Sequence, residues 1–214
     1  MFMESVPVSS QATAQSFPES MRFRKTWRQY QARILDRLSV HISDRKLHLV
    51  AAPGSGKTVL GLEIVRRLDR PALVLVPTIT IRDQWVDRLV RSFLGGGVAA
   101  PAWVSVDLKR PGLLTVSTYQ ALHSICSLAP GGGVRCAEDG PSEASDSEGE
   151  NDGRMVRRFP DVLSKAGIRT LVVDEAHHLR AAWWKTLSFV AEQLDRPTVV
   201  SLTATPPYDV SPFE

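Results

Sequence analysis

The chain has 214 residues, 43% hydrophobic and 23% charged, close to the averages for soluble globular proteins, which excludes fibrous and wholly disordered classes. That length suits one mid-sized domain with residues left over for tails and insertions. The formal charge is +3, but seven acids and no base fall between Ala137 and Asp152, which leaves the remainder at +10, a balance that fits a polyanionic partner.

Residues 1 to about 20 carry Ser, Gln and Pro with few large apolar groups, too few to offset the entropy of ordering, and read as a flexible leader. They lack the basic-then-apolar layout of a secretory signal, and no apolar run approaches the roughly 20 residues of a membrane helix, so a cytoplasmic protein is expected. From Met21 the texture changes. TWRQYQARILDRLSVHI spaces Trp27, Tyr30, Ile34, Leu35 and Leu38 at three- and four-residue steps, which predicts a helix with one buried face.

Short apolar runs then alternate with amphipathic stretches: LHLVAA before KTVLGLEIVRRL, ALVLVP before TIRDQWVDRLVRSFL, AWVSV and LLTVST before YQALHSIC. TLVVDE, AHHLRAAWWKTLSFVAEQL and TVVSLTAT repeat the unit. The alternation predicts βαβ units around a mainly parallel sheet, and the near-continuous apolar strands predict a sheet covered on both faces, hence a three-layer α/β domain. Between YQALHSIC and TLVVDE, residues 130–154 are rich in Gly, Ser and acid with little to anchor them, and read as a disordered surface insertion. Cys126 and Cys136, without a CxxC or metal-type spacing, read as reduced thiols. Arg66 and Arg67 are expected on the solvated face of their helix, and at least one of Trp183 and Trp184 is expected to pack on the sheet.

Three segments carry chemistry. AAPGSGKT (Ala51–Thr58) lies directly after a strand and before a helix, the setting a phosphate-binding loop requires. Gly54 and Gly56 let the backbone curl so that successive N–H groups and the positive helix end face phosphates, Pro53 and Ser55 complete the turn, Lys57 reaches the β- and γ-phosphates, and the Thr58 hydroxyl holds Mg2+. LVVDEAHH delivers adjacent acids at a strand's C-terminal end, with Asp174 suited to hold hydrated Mg2+ and Glu175 suited to orient or deprotonate water. Alone, the same acids equally suit the first turn of a helix, favoured by its dipole. SLTATPP ends a further strand with the Thr203 and Thr205 hydroxyls, before Pro206 and Pro207 break it.

In this order the segments resemble the N-terminal-lobe motifs of superfamily 2 helicases of the DEAD/DEAH-like kind, over about Trp27 to Pro207. The resemblance implies a RecA-like P-loop domain binding ATP and Mg2+. Ala51 stands where the general phosphate-loop pattern has glycine, a departure these motors commonly show. RQYQ is similar to the glutamine-bearing segment ahead of the phosphate loop, which implies that Gln31 reads adenine with support from Arg28 or Tyr30. VPTITIRDQW and TVSTYQAL are similar to the strand-tracking motifs, which implies nucleic-acid contacts at Pro77, Thr78, Thr118, Tyr119 and Gln120. For Tyr119 a place in the core is an equal alternative. His177, Thr203 and Thr205 match positions that couple the nucleotide site to motion, whereas His178 reads as a local hydrogen-bonder.

DEAHH followed by LTATPP resembles the branch holding the XPB-type DNA helicases and restriction-enzyme motor subunits, which favours DNA over RNA. Complete motors of this family have a second RecA-like lobe with arginine fingers. The chain ends seven residues after SLTATPP, so a fragment or one piece of a split protein is expected, with the C-terminal lobe supplied in cis or in trans and weak hydrolysis without it. The alternatives are an RNA helicase, a P-loop ATPase or switch indifferent to nucleic acid, and a degenerate binding module, the last disfavoured by intact Lys57, Thr58, Asp174 and Glu175.

Overall fold

The computed structural model describes residues 16–41, 43–97, 99–127, 159–176, 179 and 181–204. In chain order these form α1 (Gln29–His41), β1 (Lys46–Val50), α2 (Lys57–Leu68), β2 (Ala72–Val76), α3 (Ile79–Phe93), β3 (Val104–Ser105), β4 (Leu114–Thr118), α4 (Tyr119–Ser127), α5 (Phe159–Lys165), β5 (Thr170–Asp174), α6 (Ala181–Gln193) and β6 (Thr198–Thr203). The strands make one sheet in the order β1-β6-β5-β2-β4-β3, every neighbouring pair parallel. This is the α/β fold with a mainly parallel sheet that the alternation of strands and helices predicts.

Alternation along each strand sorts the sheet into two cores. Ala72, Val74 and Val76 of β2 face one way and pack with Leu60, Ile64, Trp85 and Leu89 of α2 and α3. Leu73 and Leu75 face the other way and pack with Leu122, Leu163 and Leu187 of α4, α5 and α6. Strands β2, β4 and β5 are buried at every residue, as the apolar runs of β2 and β5 require, and in β4 this takes in the polar Thr115, Ser117 and Thr118. Edge strand β1 departs from that expectation: Leu47 and Leu49 pack on the first core, while Lys46, His48 and Val50, on the opposite face, are exposed.

Local chemistry sets the helix ends. Gly56, at φ +91°, starts α2 from the left-handed region where a side chain is strained. Pro77, with no N–H to donate, ends β2, and Thr78 then caps α3 by accepting a hydrogen bond from Ile81 N at 3.3 Å.

Several expectations are revised. The leader does not reach residue 20: Phe17 is buried, packs edge-on against Trp103 with ring centroids 5.8 Å apart, and its N–H donates to Asp69 Oδ1 at 2.7 Å. Helix α5 was not legible, and the helix after the paired acids starts at Ala181 rather than beside them. Arg66 and Arg67 do not simply face solvent. Both grip Glu63, at 2.7 and 2.9 Å, and Arg67 also donates to Leu35 O in α1. Glu63 is 3% exposed. Its burial pushes the carboxyl up, but hydrogen bonds and charge from Arg66 and Arg67 outweigh that and hold it below the usual carboxylate range. Trp183 and Trp184 pack against the second core. The insertion at 130–154, with Cys136, lies outside the described residues.

Candidate active site

A sheet with all strands parallel puts every strand's C-terminal end on one edge, where ligands of open α/β folds collect. The phosphate loop leaves β1 there, Pro77 and Thr78 leave β2, Thr118 leaves β4, Asp174 ends β5 and Thr203 ends β6. Residues more than a hundred positions apart therefore meet. Phosphate-loop residues Pro53, Gly54, Ser55, Gly56, Lys57 and Thr58 share one cleft of about 500 Å3 with Arg28, Gln31, Asp174 and Glu175. Phe23, Lys25, Gln84 and Arg88 line it too and were not singled out from the sequence.

β6 lies between β1 and β5, so the strands carrying the loop and the acids are about 10 Å apart. Two features close that gap. Glu175 takes a left-handed backbone, φ +53°, which turns the chain off β5, and its N–H is tied back to Leu202 O at 2.8 Å. Lys57, from the first turn of α2, then places Nζ 2.9 Å from Glu175 Oε1. A non-glycine residue in this region costs on the order of 1 kcal/mol, a strain that recurs at functional sites.

Asp174 is 4% exposed, and its Oδ2 accepts a 2.8 Å hydrogen bond from the Trp85 indole of α3. Its carbonyl oxygen accepts the Tyr119 hydroxyl at 2.7 Å. Burial first, and the charge of Glu175 after it, push the carboxyl above its ordinary value, against the pull of the Trp85 N–H and of Lys57. Among the described residues the buried Ser55 hydroxyl finds no hydrogen-bond partner, a donor left over inside the loop. A Cβ on Gly56 would lie 2.7 Å from Gln31 Nε2, the end of a side chain that can shift, so it is the left-handed φ of +91° that calls for glycine there.

Other predicted residues fall in different places. The Gln31 amide donates to Ser55 O at 3.0 Å and accepts from Arg28 N at 3.1 Å, so here it ties α1 to the phosphate loop at the wall of the cleft. Thr78 and Gln120 are exposed and Pro77 half-buried along the same edge, whereas the Thr118 hydroxyl is spent capping α4 at Ala121 N. Tyr119 takes the core alternative: it is 2% exposed, stacks on Trp183 at 5.8 Å, and keeps no face for a nucleic-acid strand. Thr203 is buried, its carbonyl accepting from Ala51 N at 3.0 Å. His177, His178 and Thr205 lie outside the described residues. Trp85, the least predictable member, had one signal in the sequence, its place at the end of VPTITIRDQW.

A parallel α/β sheet with a phosphate loop and paired acids meeting at its C-terminal edge defines a P-loop domain of RecA-like architecture. The family model described as type III restriction enzyme, res subunit (ResIII) matches residues 24–208, and the chain belongs to that family, as the N-terminal lobe of a superfamily 2 helicase. No curated protein compared with the chain matches it. Among solved structures it is similar to the Hef helicase domain of Pyrococcus furiosus (19% identity, TM-score 0.51, 86% of this chain and 33% of that one). A hypothetical ATP-dependent RNA helicase from Sulfolobus tokodaii follows (17%, 0.51, 86% and 48%). The helicase Lhr of Mycobacterium smegmatis, seen with ssDNA and AMP-PNP, is also similar (18%, 0.50, 82% and 22%). The chain spans less than half the length of each, and at these identities the likeness is one of fold. Among the described residues no helix is long and apolar enough to cross a membrane.

Proposed function

We propose that this chain is the ATP-binding lobe of a DNA helicase or translocase, which couples ATP hydrolysis to movement along nucleic acid or to its opening. The observation that supports this most is the 2.9 Å approach of Lys57 Nζ to Glu175 Oε1 at the mouth of a cleft walled by the phosphate loop. A lysine and a glutamate meeting there supply the two kinds of group a phosphoryl transfer uses, a cation for phosphate oxygens and a carboxylate for the attacking water.

In this reading the loop N–H groups and the spare Ser55 hydroxyl take phosphate oxygens. Lys57 exchanges Glu175 for the β- and γ-phosphates. Glu175, released, orients the attacking water and takes its proton. Arg28 and Gln31 stand at the adenine end. Thr58 and Asp174 would hold Mg2+, which when bound neutralises phosphate charge. A hydroxyl and a carboxylate are hard oxygen donors that suit this cation. Among the described residues no cluster of three His, Cys, Asp or Glu side chains is grouped to hold a metal ion.

The exposed Thr78 and Gln120, with Pro77 beside them, offer a strand path along the same edge through sequence-independent contacts. DNA is favoured over RNA by the likeness of DEAHH and LTATPP to the XPB-type and restriction-subunit branch. Full turnover needs a second lobe. Without its arginine, worth about 10³–10⁵ in rate in related phosphoryl-transfer enzymes, this lobe binds ATP and hydrolyses it poorly.

The test pairs nucleotide binding by this chain with ATPase assays of the two-lobed protein in single-stranded DNA, duplex DNA and RNA. Lys57→Ala is expected to abolish both binding and stimulated turnover. Turnover indifferent to every polynucleotide would refute the motor reading, and full activity in Lys57→Ala would refute the site.

A further inference from the structure

Asp174 is held from both faces of the sheet. Its carbonyl oxygen takes the Tyr119 hydroxyl from the α4 side, and its carboxylate takes the Trp85 N–H from the α3 side. Trp85 is 0% exposed and is part of the core formed with α2, so this hydrogen bond, spanning 89 residues of sequence, is shielded from water. A buried carboxylate with one rigid neutral donor is restricted to few rotamers, and the indole cannot turn away without leaving its own N–H unpaired.

The neighbouring helix is shaped around that indole. A Cβ at Gly61 of α2 would lie 2.5 Å from Trp85 Cη2 and 2.8 Å from Leu202 Cδ1. Glycine within a helix costs about 1 kcal/mol relative to alanine, and here it opens the slot the ring fills. A phenylalanine or leucine would serve packing alone. Only the indole also carries a donor to the carboxylate.

We infer that Trp85 is a positioning residue of the active site, its indole N–H fixing the Asp174 carboxylate in one orientation at the edge of the nucleotide cleft. Trp85 acts through Asp174 and touches no substrate. This inference rests on the nucleotide-site reading above, in which Asp174 is a Mg2+ ligand. Partners that orient metal ligands typically contribute 10–100-fold to metal affinity, so the loss of the N–H is expected to appear in the Mg2+-dependent part of nucleotide binding.

The experiment titrates the chain with mant-ATP, once in EDTA and once in Mg2+, and records the ratio of the two affinities. Trp85→Phe is expected to bind within about twofold of the unaltered chain in EDTA and to lose on the order of tenfold of the tightening that Mg2+ confers. Leu89→Ala, buried on the same helix, serves as the control: it should lower the Tm at least as much and leave the Mg2+ ratio unchanged. If Trp85→Phe does not fold, benzothienylalanine at position 85 keeps the ring shape without the N–H, and the same loss is expected. An unchanged Mg2+ ratio in the Phe or benzothienyl variant overturns the inference, as does an equal loss in Leu89→Ala. Failure of the unaltered chain to bind mant-ATP in a Lys57-dependent manner overturns the nucleotide-site reading itself. Lys57-dependent binding with the ratio intact overturns only the role of Trp85.

Discussion

Replacing Gly61 with alanine sets two opposite effects against each other. Alanine in a helix interior gains about 1 kcal/mol over glycine, so on propensity alone the variant is the more stable protein. Its methyl group, however, would sit 2.5 Å from Trp85 Cη2, closer than such atoms approach, and the ring is rigid, buried and bonded to Asp174. Forcing a carbon into a filled core costs about 1–3 kcal/mol, and moving the indole also weakens a hydrogen bond to a charged group worth about 1.5–3 kcal/mol. The clash wins, and the expected net effect is a loss of about 2 kcal/mol. For a chain of this size that lowers the Tm by about 4–8 °C, measurable by circular dichroism.

A second background isolates the cause. In Trp85→Phe the outer ring carbon is gone, and the remaining close atom, Leu202 Cδ1 at 2.8 Å, is the far end of a side chain that can rotate. There Gly61→Ala is expected to become neutral or stabilising, a coupling of about 2 kcal/mol between the two positions. A Tm for Gly61→Ala at or above that of the unaltered chain, or an equal cost in both backgrounds, would refute the reasoning.

Two further substitutions test the charges. Asp174→Asn is expected to raise the Tm at neutral pH by a few degrees while abolishing the Mg2+-dependent gain in nucleotide affinity, checked by thermal melts and mant-ATP titration. The sign follows from burial, which holds this carboxyl above its ordinary value: such a group favours folding at low pH, and the contribution is lost as pH rises through the folded value. Glu63→Gln is expected to do the opposite, destabilising by about 1–2 kcal/mol at pH 7, where its charged hydrogen bonds to the part-exposed Arg66 and Arg67 are intact. Because Glu63 is held below its ordinary value of 4.5 by those two arginines despite its burial, its contribution is present above that value and fades as pH falls through the folded one. Urea unfolding at pH 7 and near pH 3 should therefore show the gap between variant and unaltered chain closing in acid.

Much of this molecule is written locally. The strands β2 and β5 are built on short runs of apolar residues, and the phosphate loop is a contiguous string whose conformation its glycines dictate, so both can be read without knowing what packs on them. The parallel topology then carries Lys57 and Glu175 to one edge. What could not be read is tertiary. Helical periodicity puts Arg66 and Arg67 on a polar face, but nothing local says that α1 and the segment around Phe17 cover that side of α2 and bury Glu63. Tyr119 follows a strand in a motif-like context, and only the packing of α6 decides that its ring stacks on Trp183. Helix α5 is seven residues long, too short for its period to stand out. Trp85 and Gly61 gain their meaning from each other.

The end of β6 works as a crossbar. Two consecutive carbonyls there point in opposite directions: that of Thr203 holds the first residue of the glycine turn, Ala51, and that of Leu202 holds Glu175. The glycine turn and Glu175 thus hang from adjacent links of a single strand. A displacement of that strand tip would reach Ala51 and Glu175 together, through hydrogen bonds of 3.0 and 2.8 Å.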